Sequence, residues 1–474
     1  IAHLFSSMSS GGTVTVRIDT PVVGCEVAPH VMARSGQGRI LPTPEVEYRF
    51  EWRMSRGVVT CSNQACAERN RYRPRVAKIE VLEPPLRGRA FCSNHCTKTA
   101  WRLTHKFRAK PSVALPAAGI TLQDMVDARI RAPRCEMFDL EPVGEGAVFV
   151  PVDEHVGRAL CVRCTATTVG GREVVGSAQS ALLVILSAPP LPNPPPMLTV
   201  PRPVPAGLRL RVVSYNILAE IYATQQMYPY CPLWALLWSY RGPRLVRQLR
   251  SLDADVLCLQ EVQEDHYNAL LRPALEEAGY ASVYKRKTRE AGISGKVDGC
   301  ATFFRRSLLQ LEAVSEIEFN ERARDEASKA RGAAPRLSQK ALRRLVRGNV
   351  AHFMVLRVGP GNEFAGQRVC VANTHIFWDP EFADVKLWQT QRLLAELHAF
   401  TVSSWMPVLL CGDFNSTPDS AVYRLLTTGH VPRDHPDLRL DPQHILATTP
   451  ISNPMPLESA FATALGGEPA TTNH

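Results

Sequence analysis

The chain has 474 residues, 45% hydrophobic and 21% charged, which excludes a disordered or fibrous class and suggests two or three domains of ~100–200 residues. No apolar run approaches the ~20 residues that span a bilayer, and Ile1 to Met8 shows no basic region leading into an apolar stretch, so no secretory signal is visible. The net charge of +10 favours polyanionic partners, and thirteen cysteines, an odd number, read as reduced thiols of the cytoplasm or nucleus rather than a disulfide framework.

In chain order, the first feature is a set of cysteines and histidines. Phe91-Cys92-Ser93-Asn94-His95-Cys96, followed by Trp101 and His105, resembles the second half of a MYND-type zinc module, with Cys61 and Cys66 available as the first pair. The competing reading is thiols in a loop-rich segment. Val148 to Val152, Ala159 to Cys164 and Ser180 to Leu186 have β-like composition, with Gly-rich turns expected at Gly144 to Gly146 and Gly170 to Gly171. Nine prolines between Pro189 and Pro205 make a stiff linker. The expected domains are therefore 1–110 (with the possible Zn²⁺ site), 111–187 (β-rich), 188–207 (linker) and 208–474.

The last of these alternates strands with helical periodicity, an α/β or α+β pattern. Leu208 to Tyr215 reads as a strand delivering Asn216, and Asp255 to Gln260 as one delivering Glu261, with Leu245, Leu249 and Leu252 at helical spacing between them. Asp298 precedes the strand Cys300 to Phe304. Glu321 to Arg347 reads as a solvated charged helix or an insertion. Arg368 to Ala372 leads to Asn373 and His375, a helix begins near Ala383, and Met406 to Cys411 leads to Asp413 and Asn415.

Any one of these polar residues reads as a turn former or a solvated strand end. Five at the ends of separate apolar strands read as a site, because one sheet edge gathers them. A hard cation such as Mg²⁺ takes one or two carboxylates plus water and phosphate oxygens, which suits Glu261 and Asp413. Asn216 and Asn415 can hold water or a phosphate oxygen, and His375 can donate to one.

Ser214-Tyr215-Asn216, Leu259-Gln260-Glu261-Val262, Asp298-Gly299-Cys300-Ala301-Thr302-Phe303-Phe304, Asn373-Thr374-His375 and Gly412-Asp413-Phe414-Asn415 resemble the ordered motifs of the endonuclease/exonuclease/phosphatase superfamily. Asn216-Ile217-Leu218-Ala219, Tyr228-Pro229-Tyr230-Cys231-Pro232 and Tyr284-Lys285-Arg286-Lys287-Thr288 are similar to the carbon catabolite repressor four deadenylases, and Val22 to Cys25 with Val152 to Cys161 to their plant-type members. The resemblance implies a two-layer β-sandwich flanked by helices and a Mg²⁺-dependent 3′–5′ exoribonuclease that shortens poly(A) tails and releases AMP. It implies Glu261 as Mg²⁺ ligand, Asp413 as metal-linked general acid/base, and Asn216, His375 and Asn415 as handlers of the scissile phosphate and water. Pro380 would pack against an adenine, or else simply start a helix, and Asn473 would join the substrate-binding residues. Poly(A) RNA and other subunits of a deadenylase complex are the implied partners, with no membrane, in the cytoplasm and also the nucleus.

The sequence departs from the family at Gly348, where an Asp is usual, and it shows no leucine-rich repeat. It closes at Thr472-Asn473-His474, before the family's Gly-Thr-Leu-Asp-Tyr and Ser-Asp-His motifs, so the expectation is a truncated chain that is poorly soluble and inactive. The alternatives are a 2′,5′-oligoadenylate phosphodiesterase or nucleotide phosphatase, and a non-catalytic RNA-binding or scaffold protein if the chain ends at His474.

Overall fold

The computed structural model describes residues 12–58, 140–170, 173–180, 182–191, 197–198, 207–288, 295–329, 337–404, 406–446 and 451–469. It divides into two compact units, residues 1–190 with 229–241 and residues 191–228 with 242–474. Among the described residues no helix is long and apolar enough to cross a membrane. Cys61, Cys66, Cys92, Cys96, His105 and Asn473 lie outside the described residues, and with them the zinc expectation.

Among its described residues, the first unit is built mainly of strands. β1 (Thr13–Arg17), β2 (His30–Arg34) and β3 (Ile40–Leu41) form one sheet; β4 (Val46–Val58), β5 (Leu140–Glu145), β6 (Arg158–Thr168) and β7 (Val174–Gln179) form another in the order β5-β4-β6-β7, with β8 (Leu183–Val184) on β6. Val14 and Val16 of β1 meet Trp52, Met54, Leu160 and Val162 in a single core. A division at residue 110 does not separate the described residues. β4 pairs with β6 from Val46↔Thr168 to Val58↔Arg158, so both expected N-terminal modules contribute strands to one sheet. The strand expected at Val148 to Val152 falls earlier, at Leu140–Glu145, and runs through Gly144; the later segment makes only the Val27–Phe149 bridge.

The second unit holds β9 (Val212–Asn216), β10 (Val256–Gln263), β11 (Tyr280–Arg286) and β12 (Asp298–Arg305) in one sheet, ordered β11-β12-β10-β9. A second sheet has β13 (Leu309–Glu318), β14 (Val350–Val358), β15 (Arg368–His375) and β16 (Val408–Asp413) in sequence. The strand alternation of β14 explains the layering. Met354, Leu356 and Val358 point between the sheets with Val256, Cys258, Val369 and Val371. Ala351 and Phe353 point the other way, under Leu387, Trp388, Leu394 and Leu397 from the helix Ala383–Thr401. That helix begins where its sequence predicts. The charged stretch Glu321 to Arg347 contributes two helices, Phe319–Lys329 and Gln339–Leu345, the latter capped by the Ser338 hydroxyl accepting from Ala341 N. The unit is thus a two-layer β-sandwich flanked by helices.

One pair in each sheet is parallel, β9 with β10 and β15 with β16. Both strands of a parallel pair finish at the same edge, so Asn216 sits opposite Gln260, and His375 opposite Asp413. Beneath that edge the sheets are joined by polar groups. Asn373, fully buried, donates through Nδ2 to Leu259 O at 3.2 Å, Ala301 O at 3.0 Å and Thr302 Oγ1 at 3.2 Å, and accepts from Gln260 Nε2 at 2.8 Å. A saturated buried network of this kind fixes the register of one sheet against the other.

Candidate active site

Glu261 is not past the end of its strand. β10 continues to Gln263, and its register against β12 slips between Leu259 and Val262, so that Gln260 and Glu261 together oppose one residue. Glu261 takes a left-handed φ of 56° at this bulge, which turns its carboxylate along the sheet edge. On the facing strand, Gly299 lets β11 approach β12 closely: a Cβ there would stand 2.2 Å from Lys285 O.

The Asn216 amide joins the two halves of the site. Its Nδ2 donates to Glu261 Oε1 at 2.8 Å and to Asp413 Oδ2 at 2.9 Å, while its Oδ1 accepts from Leu218 N at 3.0 Å. Glu261 Oε2 also accepts from Ala219 N at 3.0 Å. Asp413 Oδ1 accepts from Asn415 N at 2.9 Å, and Asn415, at φ 47°, points Nδ2 at Ile376 O, 3.0 Å away, and at His375 Nε2, 3.1 Å away. His375 Nε2 lies 3.8 Å from Asp413 Oδ2. Its own backbone carbonyl accepts from Asn349 Nδ2 at 2.8 Å. Asn216, Glu261, His375, Asp413 and Asn415 are therefore all gathered, as the sequence led one to expect. Asn373 is not with them but two residues deeper, between the sheets.

Three further side chains emerge only in three dimensions. Asp298, fully buried, pairs with Lys287 Nζ at 2.7 Å and accepts from Tyr222 OH at 3.0 Å; Lys287 is itself buried. Lys386, from the helix Ala383–Thr401, donates to Asn415 O at 2.8 Å and so fixes the left-handed turn that aims the Asn415 amide. Lys287 belongs to the Tyr284 to Thr288 segment, and Asp298 opens a strand. Their sequence signal was present, but their partnership was not. Pro380 is exposed and begins the 3₁₀ turn Pro380–Phe382, whose first N–H groups are served by the Asp379 carboxylate.

Burial pushes the Glu261 carboxyl above its ordinary range, against the hydrogen bond from Asn216, the charge of Lys287 and the bond from Ala219. Among the described residues, Lys287 pairs with Asp298 and acts on Glu261, and Lys386 acts on Asp413; the carboxylate charge these two ammonium groups leave over suits a bound cation. Among the described residues no group of three or more His, Cys, Asp or Glu side chains gathers as a metal cage. The donor set of Glu261, Asp413 and the Asn216 and Asn415 amides fits an ion that keeps most of its water and takes one or two carboxylates.

A family description, the Endonuclease/Exonuclease/phosphatase family, matches residues 213–453, about half of the chain, and the chain belongs to that family. Carbon catabolite repressor protein 4 homolog 1 of Arabidopsis thaliana is 38% identical over 345 residues, covering 68% of this chain and 56% of its own. CCR4-NOT transcription complex subunit 6-like-B of Xenopus laevis is 36% identical, covering 48% of this chain and 45% of its own. The CCR4-Not complex 3′-5′-exoribonuclease subunit Ccr4 of Coccidioides immitis is 32% identical, covering 56% and 40%. The chain spans about half the length of the curated relatives it matches. Among solved structures, ANGEL2, a 2′,3′-cyclic phosphatase, is 36% identical over 47% of this chain and 58% of its own, with a TM-score of 0.38.

Proposed function

We propose that this chain carries the catalytic unit of a magnesium-dependent 3′–5′ exoribonuclease that shortens poly(A) tails and releases AMP. One observation carries the reading: a single amide, Asn216, bonds both Glu261 and Asp413, which come from different sheets, and Asn415 extends the cluster to His375. Relatives whose names specify a 3′-5′-exoribonuclease subunit support the direction of attack, and the family motifs support phosphodiester chemistry.

In this reading Glu261 and Asp413 hold the cation, which when bound neutralises charge that develops on the scissile phosphate. Asp413, its Oδ1 held by Asn415 N and its Oδ2 by Asn216, takes the proton of the attacking water. Water oxygen bonds to phosphorus, the bond from phosphorus to the preceding 3′ oxygen breaks, that oxygen takes a proton from solvent to become the new 3′ hydroxyl, and AMP departs from a strand one residue shorter. His375 donates a ring N–H to a non-bridging oxygen, with Asn415 beside Nε2 aligning the ring. Asn216 fixes the separation of the two carboxylates before substrate arrives, so little reorganisation remains for the reaction itself. Other subunits of a deadenylase complex are the proposed partners, and the cytoplasm and nucleus the proposed compartments.

The test is an assay of the full-length protein on 5′-labelled A-tailed RNA, 2′,5′-linked oligoadenylate and NADP, with Mg²⁺ and with EDTA. A ladder shortening from the 3′ end with AMP as product, abolished by EDTA, is expected. Turnover of 2′,5′-linked oligoadenylate or NADP with the A-tail left intact would assign the site to a phosphodiesterase or phosphatase instead.

A further inference from the structure

Beyond the reacting centre, the segment leaving β15 builds a second group of side chains that the chemistry above does not use. Phe377 follows His375 by two residues and is fixed through its backbone N–H to Gln389 Oε1 at 3.0 Å. Gln389 Nε2 in turn donates to Asn349 Oδ1 at 3.1 Å, the same asparagine that holds the His375 carbonyl. The Phe382 ring meets Phe377 edge-on at 5.2 Å. Against both lies Arg347, its guanidinium carbon 5.0 Å from the Phe377 centroid and 4.4 Å from that of Phe382. On the other side of Phe377 the Trp378 ring, centroid 6.2 Å away, is 61% exposed.

The two arginines of this group differ. Arg344 is neutralised: its Nε and Nη2 bond Asp384 at 2.7 and 2.9 Å. Arg347 spends its Nε on Arg344 O at 2.8 Å, and among the described residues no carboxylate forms an ion pair with it. The nearby Asp379 carboxylate is occupied with Glu381 N. Burial first, and the neighbouring Arg344 second, pull the Arg347 guanidinium below its ordinary value, against the charges of Asp379 and Asp384 nearby. A guanidinium lying over aromatic rings keeps N–H donors available for a phosphate. An exposed indole stacks on a base only when that base is unpaired.

We propose that Arg347 and Trp378 form a second nucleotide station beside the reacting centre, where Trp378 stacks one base of a single-stranded nucleic acid and Arg347 pairs with a phosphodiester oxygen of the same strand. The inference rests on the nuclease reading above and adds to it a length requirement: a strand engages this station, whereas a mononucleotide at the reacting centre does not.

The experiment measures binding of a 5′-labelled ten-nucleotide oligoadenylate to the full chain by fluorescence anisotropy in EDTA, across a salt series, with AMP as competitor. Trp378→Ala is expected to weaken decamer binding about tenfold, and Trp378→Phe much less. Arg347→Gln is expected to reduce the slope of log affinity against log salt by about 0.7, the loss of one phosphate contact on a single strand, while Arg347→Lys keeps the slope. All four leave AMP binding unchanged. If the wild type binds the decamer and both Trp378→Ala and Arg347→Gln match it in affinity and slope, the station is refuted and the nuclease reading stands. Equal weakening of AMP and decamer would also refute it. A wild type that binds no decamer overturns both.

Discussion

His352 sits on β14 with no solvent exposure, its Nε2 2.7 Å from Thr302 Oγ1 of the facing sheet. Burial, and secondarily the charge of Lys285, push its pKa from 6.5 down to about 4. In the unfolded chain the same imidazole takes its proton near pH 6.5. Between those values the unfolded state holds a proton that the folded state does not, so this contribution to stability is complete above pH 6.5 and is lost as pH falls toward 4. At ~1.4 kcal/mol per unit, the window amounts to about 3 kcal/mol. Replacing His352 by Gln removes the titration but keeps a polar partner for Thr302. Urea unfolding of the wild type and His352→Gln, followed at half-unit steps from pH 7.5 to 4, should show the wild type losing about 3 kcal/mol more than the variant over that range. A difference between the two that stays constant with pH would refute the assignment of a neutral buried imidazole.

Glu261→Ala should abolish hydrolysis and divalent-cation binding by calorimetry while the far-ultraviolet dichroism is retained, and Asp413→Asn should be as severe, since the amide keeps shape but loses charge; near-normal Mg²⁺-dependent turnover in either would sink the ligand assignment. Asn373→Leu should cost about 3 kcal/mol in chemical denaturation, because Gln260 Nε2 loses its shortest hydrogen bond and Leu259 O, Ala301 O and Thr302 Oγ1 lose a donor between the sheets. An unchanged midpoint would show that water replaces the network. Gly299→Ala should destabilise by about 3 kcal/mol and reduce activity together, since a Cβ clashing with Lys285 O displaces β12, which pairs with β10 at Val262 beside Glu261. Loss of stability with full activity would uncouple the two.

The strand runs and the long helix from Ala383 were legible because their apolar spacing is local. So was the gathering of Asn216, Glu261, His375, Asp413 and Asn415, since each follows an apolar run. What was not legible depends on partners distant in sequence. Glu261 reads as a residue beyond a strand, but it sits in a bulge of β10 against β12, a pairing that nothing near Glu261 specifies. Lys287 and Asp298 appear as separate charged residues until Tyr222 joins them. Asn373 shares its motif with His375, yet the pleat carries it into the gap between sheets. The N-terminal division at residue 110 failed for the same reason, because the partner of β4 begins at Arg158.

Asn216 and Asp413 touch although 197 residues separate them. Closing so long a loop is entropically slow and gives nothing back until both sheets are in place. During refolding, helical signal should therefore return before the Asn216 bridge can form, and cation affinity should return last of all. A nascent chain that has not yet reached Asp413 lacks one of the two carboxylates that Asn216 joins, and with it half of the proposed cation site.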